Sequence, residues 1–354
     1  MAAAAAASKG MIVCMAKLTE KENLMMFMRG EQPEWVPRYG IGAPDPYSKH
    51  PPAVAGITPG FMNEHKTPEG GFDIWGVEYV ATEDTGGMTL PVPNEFILDD
   101  ITKWRDIIKA PDISRIDWEA MAKKDLAHVN RDETAVAALI HVGYFQQLMA
   151  FMGFSEGLCA MYEEPDEVRA LFDYMCVFYI DVTKKFFEYY KPDFFELTDD
   201  TATAINPFVS LEMYRELIKP YHKAQVQPAI DAGMCVMMHN CGRCEDQIDD
   251  WFDCGVTAWN PAQIVNDLDG IKKKYGNRLG LCGCWDSSGP VNWPDATEEM
   301  VRQAVRDTID RFASGGGFCF WGSTYGSVGD QATENRRRWM TEEYDSYGRT
   351  FYRG

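Results

Sequence analysis

The chain has 354 residues, 45% of them hydrophobic, which is enough for a large core, and its formal net charge is −20. That charge argues against nucleic-acid and anionic-membrane partners, both of which want a basic surface. Apolar runs such as 135–140 fall far short of the about 20 residues that span a bilayer. The ten cysteines of so long a chain read as reduced thiols of a cytoplasmic protein, some of them candidate metal ligands.

In chain order, residues 1–15 carry a run of six alanines without the basic start and long apolar core of a signal peptide. Residues 1–16 therefore read as an added or disordered leader. The span 19–29 predicts a helix, because Thr19 and Glu22 have capping-box spacing and Leu24, Met25, Phe27 and Met28 make an apolar face. Strand-like runs follow at 35–39, 74–80, 135–142, 193–197, 234–239, 256–259, 279–284 and 318–321. Amphipathic helical stretches separate most of them, among them 165–190, 211–232 and 298–313. Eight strands alternating with helices predict an α/β fold, a (β/α)8 TIM barrel with an N-terminal helical extension. A doubly wound sheet competes, but no GxGxxG follows an early strand.

In such a barrel the chemistry lies where strands end. Those ends supply Arg38 and Tyr39, His141 and Tyr144, Glu196 with Asp199 and Asp200, His239 and Cys241, Asn260 and Gln263, Cys284 and Asp286, and Ser323 to Tyr325. His239 and Cys241 stand two apart at the end of an apolar run, so both can face one metal ion, and imidazole with thiolate suits zinc. A loop-capping His beside a buried Cys is the bland alternative. A third ligand has to come from elsewhere: Cys319 is the candidate, with Cys244, Cys282 and Cys284 as substitutes. Glu196, Asp199 and Asp200 gather three carboxylates at one strand end, where like charges in a partly dry pocket favour a proton donor. Helix capping by one of them is the competing use. Aromatics near strand ends, Tyr144, Trp259, Trp285 and Tyr325 among them, can wall an aromatic substrate or serve the core.

Several segments in order resemble the uroporphyrinogen decarboxylase superfamily. They are 18–23 with 30–37, Gly143-Tyr144-Phe145-Gln146 through Phe154, Pro165-Asp166-Glu167-Val168, His239-Asn240-Cys241-Gly242, Glu334-Asn335 and Tyr347-Gly348. The resemblance implies that 17–354 is one barrel domain of that type. The decarboxylases carry an arginine-rich glycine motif after the first strand for the substrate's propionates; here 37–42 holds one arginine, Arg38. The His-x-Cys pair is similar to the zinc motif of methylcobamide-dependent methyltransferases, whose third thiolate follows the last strand. Here 322–326 has no cysteine, and Cys319 comes a few residues early.

The resemblance therefore points to the O-demethylase methyltransferases. These move a methyl group from a methoxylated, often aromatic, compound to the Co(I) of a partner corrinoid (cobalamin) protein. It implies His239 and Cys241, with Cys319 as candidate, as zinc ligands. Glu196, Asp199 and His239 become catalytic groups, and Tyr144, Trp259, Asn260, Trp285 and Tyr325 line the substrate pocket. A zinc-dependent coenzyme M-like thiol methyltransferase is the first alternative. A decarboxylase or a non-catalytic tetrapyrrole-binding barrel is the second.

Overall fold

The structure is a computed structural model and describes residues 18–41, 44–82, 89–140, 143–326 and 329–353. The leader 1–16, together with Gly42, His141 and Val142, lies outside the described residues. The expected first helix forms as Glu20–Met28. Thr19 Oγ1 accepts the Glu22 N–H at 3.1 Å while the Glu22 carboxylate accepts the Thr19 N–H at 2.8 Å, which satisfies two free donors of the first turn.

Eleven strands follow among the described residues: β1 (Val54–Ile57), β2 (Lys66–Thr67), β3 (Gly70–Phe72), β4 (Glu78–Ala81), β5 (Thr89–Pro91), β6 (Ala135–Leu139), β7 (Phe194–Thr198), β8 (Cys235–His239), β9 (Ala258–Ala262), β10 (Gly280–Gly283) and β11 (Phe318–Phe320). Seven form one parallel sheet in the order β1-β6-β7-β8-β9-β10-β11. The helices Pro165–Tyr190, Lys219–Asp231 and Glu298–Phe312 stand among the crossovers, as the sequence periodicity predicts.

Two expected barrel strands take other roles. Residues 35–39 add an isolated parallel bridge, Arg38 to Phe320, on the free edge of β11. Pro37 has no N–H to extend a ladder there, though its carbonyl accepts the Phe320 N–H at 2.8 Å. Residues 74–80 turn at Gly76, and their strand portion belongs to β4 in a separate antiparallel sheet, β2-β3-β4-β5. β1 supplies the missing parallel strand. It hides in the sequence behind Pro51 and Pro52, with a glycine in its middle. That glycine is a packing requirement: a Cβ on Gly56 would sit 2.6 Å from Leu139 Cδ1 and 2.9 Å from Ile41 Cβ. The sheet thus curls until the segment bridged to β11 comes against β1. The described residues hold no ladder that closes an eight-stranded ring.

Alternation along the strands separates two cores. Ala135, Ala137, Phe194, Met237, Ala258, Cys282 and Cys319 point inward and pack with Leu24, Phe27 and Met28 of the first helix. The intervening residues, such as Val136, Phe195, Val236, Met238, Trp259 and Leu281, pack against the helix shell. Small side chains on β6 and β9 leave room for the first helix as a plug; a Cβ on Gly280 would meet the Phe27 ring at 2.6 Å. At the opposite end, the antiparallel sheet docks through Trp75. Its indole N–H donates to Tyr179 Oη at 2.7 Å, and its ring meets Phe151 and Phe178 edge-on.

Candidate functional site

Register brings the site together at the C-terminal ends of β7, β8 and β9. Thr198 pairs with His239, and His239 with Asn260. Glu196, His239 and Asn260 are the inward residues one step beyond Phe194, Met237 and Ala258. Asn260 is fully buried, and its amide is oriented by both neighbours: Oδ1 lies 2.6 Å from His239 Nδ1 and Nδ2 donates to Glu196 Oε1 at 3.2 Å. Tyr39, which is 2% exposed, donates a short hydrogen bond to Glu196 Oε2. Burial raises the Glu196 carboxyl, while His239, Tyr39 and Asn260 pull it back down.

This network sets the histidine tautomer. With Asn260 Oδ1 as its partner, Nδ1 carries the proton and Nε2 keeps its lone pair. Nε2 faces Cys241 Sγ at 3.8 Å and Asp200 Oδ1 at 3.9 Å. Asp200, His239 and Cys241 converge with one donor atom each within 4.8 Å of one another, all half-buried. The loops bearing them are pinned. Asp200 Oδ1 accepts the Cys241 N–H at 2.7 Å, and its Oδ2 accepts Gln146 Nε2 at 3.1 Å. Gly242 has φ +89° and comes so close to the preceding crossover that a Cβ would fall 2.5 Å from Thr203 O.

Tetrahedral zinc with N, S and O ligands holds its donors about 3.3–3.6 Å apart. The 3.8 and 3.9 Å separations need a contraction of a few tenths of an ångström to match. The donor set, the fixed tautomer and the backing carboxylate of Glu196 fit such an ion and leave a fourth position for a ligand. Without a cation, burial and then Asp200 push the Cys241 thiol up, which keeps it protonated.

Other expected site residues lie elsewhere. Asp199 is fully buried and anchors a helix: its carboxylate accepts the Phe145 and Gln146 N–H groups at 3.1 and 3.0 Å and meets His222 Nε2 at 2.9 Å. That leaves it no face toward the cavity as a proton donor. Cys319 is fully buried in the inner core with Cys282 and Tyr39, and Asp200 stands where a third ligand was sought. Tyr144 is inside the helix shell, with its hydroxyl on Gln225 Oε1 at 2.9 Å. Trp259 faces the shell and donates to Asn240 O at 3.0 Å. Trp285 is 5% exposed and donates to Ser323 O at 2.9 Å, while Tyr325 is 57% exposed. None of the five expected pocket residues lines the cavity at this end of the sheet; Asn260, fully buried, instead bonds to His239 and Glu196.

A cavity of about 280 Å³ lies between this end of the sheet and the antiparallel cap. Glu196, Thr198 and His239 form its floor, Lys66, Asp73 and Tyr79 come from the cap, and Ile41 and Leu139 stand at the side. Nothing in the sequence signals Lys66 or Asp73: both lie outside the expected strand at 74–80, in a stretch to which the sequence pattern assigns no element. A larger cleft of about 370 Å³ runs beside Arg38, Tyr39 and Trp321, but the trio does not line it. Of the trio, His239 lines the smaller cavity and none lines the cleft, so the smaller cavity is the one that reaches the candidate metal ligands. Arg38 is engaged in that cleft by Asp45 at 2.6 Å and Thr341 at 3.0 Å.

The sequence model of the uroporphyrinogen decarboxylase (URO-D) family matches residues 80–335. No curated protein matches the sequence. Among solved structures, a methyltransferase from Methanosarcina mazei superposes with a TM-score of 0.64 at 14% identity, over 93% of this chain and 99% of that one, which shows a shared fold. No helix among the described residues is long and apolar enough to cross a membrane.

Proposed function

The chain belongs to the uroporphyrinogen decarboxylase family, and from that premise we propose that it is a methyltransferase acting on a methoxylated small molecule, with the Co(I) of a partner corrinoid protein as acceptor. One observation carries the reading: Asp200, His239 and Cys241 converge at the mouth of the sheet, with the His239 lone pair aimed at the other two. A decarboxylase of a polycarboxylate needs several fixed cations. The cavity lining offers one, Lys66, and Arg38 lies in the other cleft, tied to Asp45. The fold shared with a methyltransferase agrees with the proposal.

Breaking a methyl–oxygen bond leaves an electron pair on a poor leaving group, which needs an electrophile or a proton. Asp200, His239 and Cys241 would hold zinc, which when bound supplies a Lewis acid for that oxygen. Asn260 holds the His239 ring in the ligating tautomer. Burial raises the Glu196 carboxyl beneath the cavity, so Glu196 in its protonated form can give its own proton to the departing oxygen, ending as the carboxylate that Tyr39 and Asn260 hydrogen-bond. The methyl carbon leaves for the acceptor as the C–O bond breaks, and the oxygen ends protonated. The apolar walls, Ile41, Leu139 and Ile140, keep water from competing.

The test is formation of methyl-cob(III)alamin from cob(I)alamin and methoxyarenes, followed by absorbance. The proposal expects transfer by the native chain and a fall to background in His239→Ala, with the folded content unchanged by circular dichroism. Full transfer by that variant removes His239 from the mechanism.

A further inference from the structure

Lys66 is the cation that lines the cavity. It stands on β2 in the antiparallel cap, across from the floor built by Glu196 and His239. Its ammonium lies 3.3 Å from the centroid of the Tyr79 ring and is half-buried. Among the described residues it makes no salt bridge within 4.0 Å.

The acids nearest in the cavity are already engaged. Asp73 accepts the Trp75 and Val77 N–H groups, both at 2.9 Å, and Gln147 Nε2 at 3.0 Å. Glu196 is held by Tyr39 and Asn260. Burial lowers Lys66, so its charged form pays a desolvation cost that the weak pull of Asp73 does not cancel. In a chain of net charge −20, a cavity ammonium with no carboxylate within 4.0 Å among the described residues calls for a reason. The Tyr79 face accounts for part of its placement, since a ring attracts a cation. Lys66 lines the cavity while resting on that face, so its ammonium is within reach of what the cavity holds.

We propose that Lys66 is a specificity-determining residue that pairs with an anionic group at the end of the substrate opposite its methyl group. The substrate is then a small methoxylated carboxylate, its acid end at the cap and its ether oxygen at the floor. This rests on the methyltransferase reading for the floor alone; the anion pairing stands on the cap. The cavity, at about 280 Å³, is near the small end of the roughly 300–1,000 Å³ usual for ligand pockets. A single substituted ring or a short aliphatic acid fits that scale, and a tetrapyrrole does not.

The experiment is calorimetric binding of 4-methoxybenzoate and its uncharged isostere 4-methoxybenzamide to the native chain, Lys66→Met and Lys66→Arg. A charge-assisted pair in a partly dry site predicts about 10- to 100-fold tighter binding of the acid than the amide. Lys66→Met should erase that preference while binding the amide as the native chain does, which also shows that the variant is folded. Lys66→Arg should keep the preference. Equal binding of acid and amide by the native chain, or a preference that survives Lys66→Met, overturns the inference. Offering both compounds with cob(I)alamin separates the two claims. Lys66-dependent binding without methyl transfer sinks the functional reading and keeps the anion site. Transfer that is equal from acid and amide does the reverse.

Discussion

The inner rows of β7, β8 and β9 change character within two residues. Phe194, Met237 and Ala258 are buried and apolar and pack with the helix Glu20–Met28. One alternation further, the same rows present Glu196, His239 and Asn260, joined to one another by hydrogen bonds. The first level closes the floor with a plug, and the second opens onto a cavity. The difference teaches that stability and chemistry occupy adjacent layers of one scaffold. The rigid lower layer is what can hold the His239–Asn260 pair at 2.6 Å.

The comparison predicts mutations that separate the layers. The largest effect belongs to the floor. Phe27 is fully buried against the inner rows, so Phe27→Ala should cost about 3–5 kcal/mol of stability, read by urea denaturation. The folded fraction should still bind zinc with native affinity. A variant that keeps its stability shows that the plug is dispensable. A smaller and opposite effect belongs to the mouth. Asn260→Ala removes the group that holds the His239 tautomer, so zinc affinity should fall about 10- to 100-fold in a competition titration with a chelator. Unchanged affinity would mean that His239 needs no such orientation.

Much of the fold was legible because six parallel strands are runs of apolar residues long enough to stand out, as in 194–198 and 235–239. β1 was not, since four residues containing alanine and glycine carry little strand signal. The cap was misread because Glu78–Ala81 has strand character but pairs antiparallel, a fact of partners rather than of composition.

The site shows the same limits. His239 and Cys241 were legible from their spacing. Asp200 was visible in its motif, yet consecutive residues diverge: Asp199 turns to a helix N-terminus and Asp200 to Cys241. Parity would have corrected Trp259, which adjoins inward Asn260 and so faces the shell. Cys319 could face the interior or the helix layer by its sequence; it points inward, into solid packing with Cys282, and no single strand reveals what faces it.

The metal content of the purified protein and three variants tests the central claim most directly. The account predicts stoichiometric zinc in the native chain, lost in Cys241→Ser and Asp200→Ala and retained in Cys319→Ala. Native protein purified in zinc-containing medium with no bound zinc, or zinc that leaves with Cys319 and stays without Asp200, would contradict it.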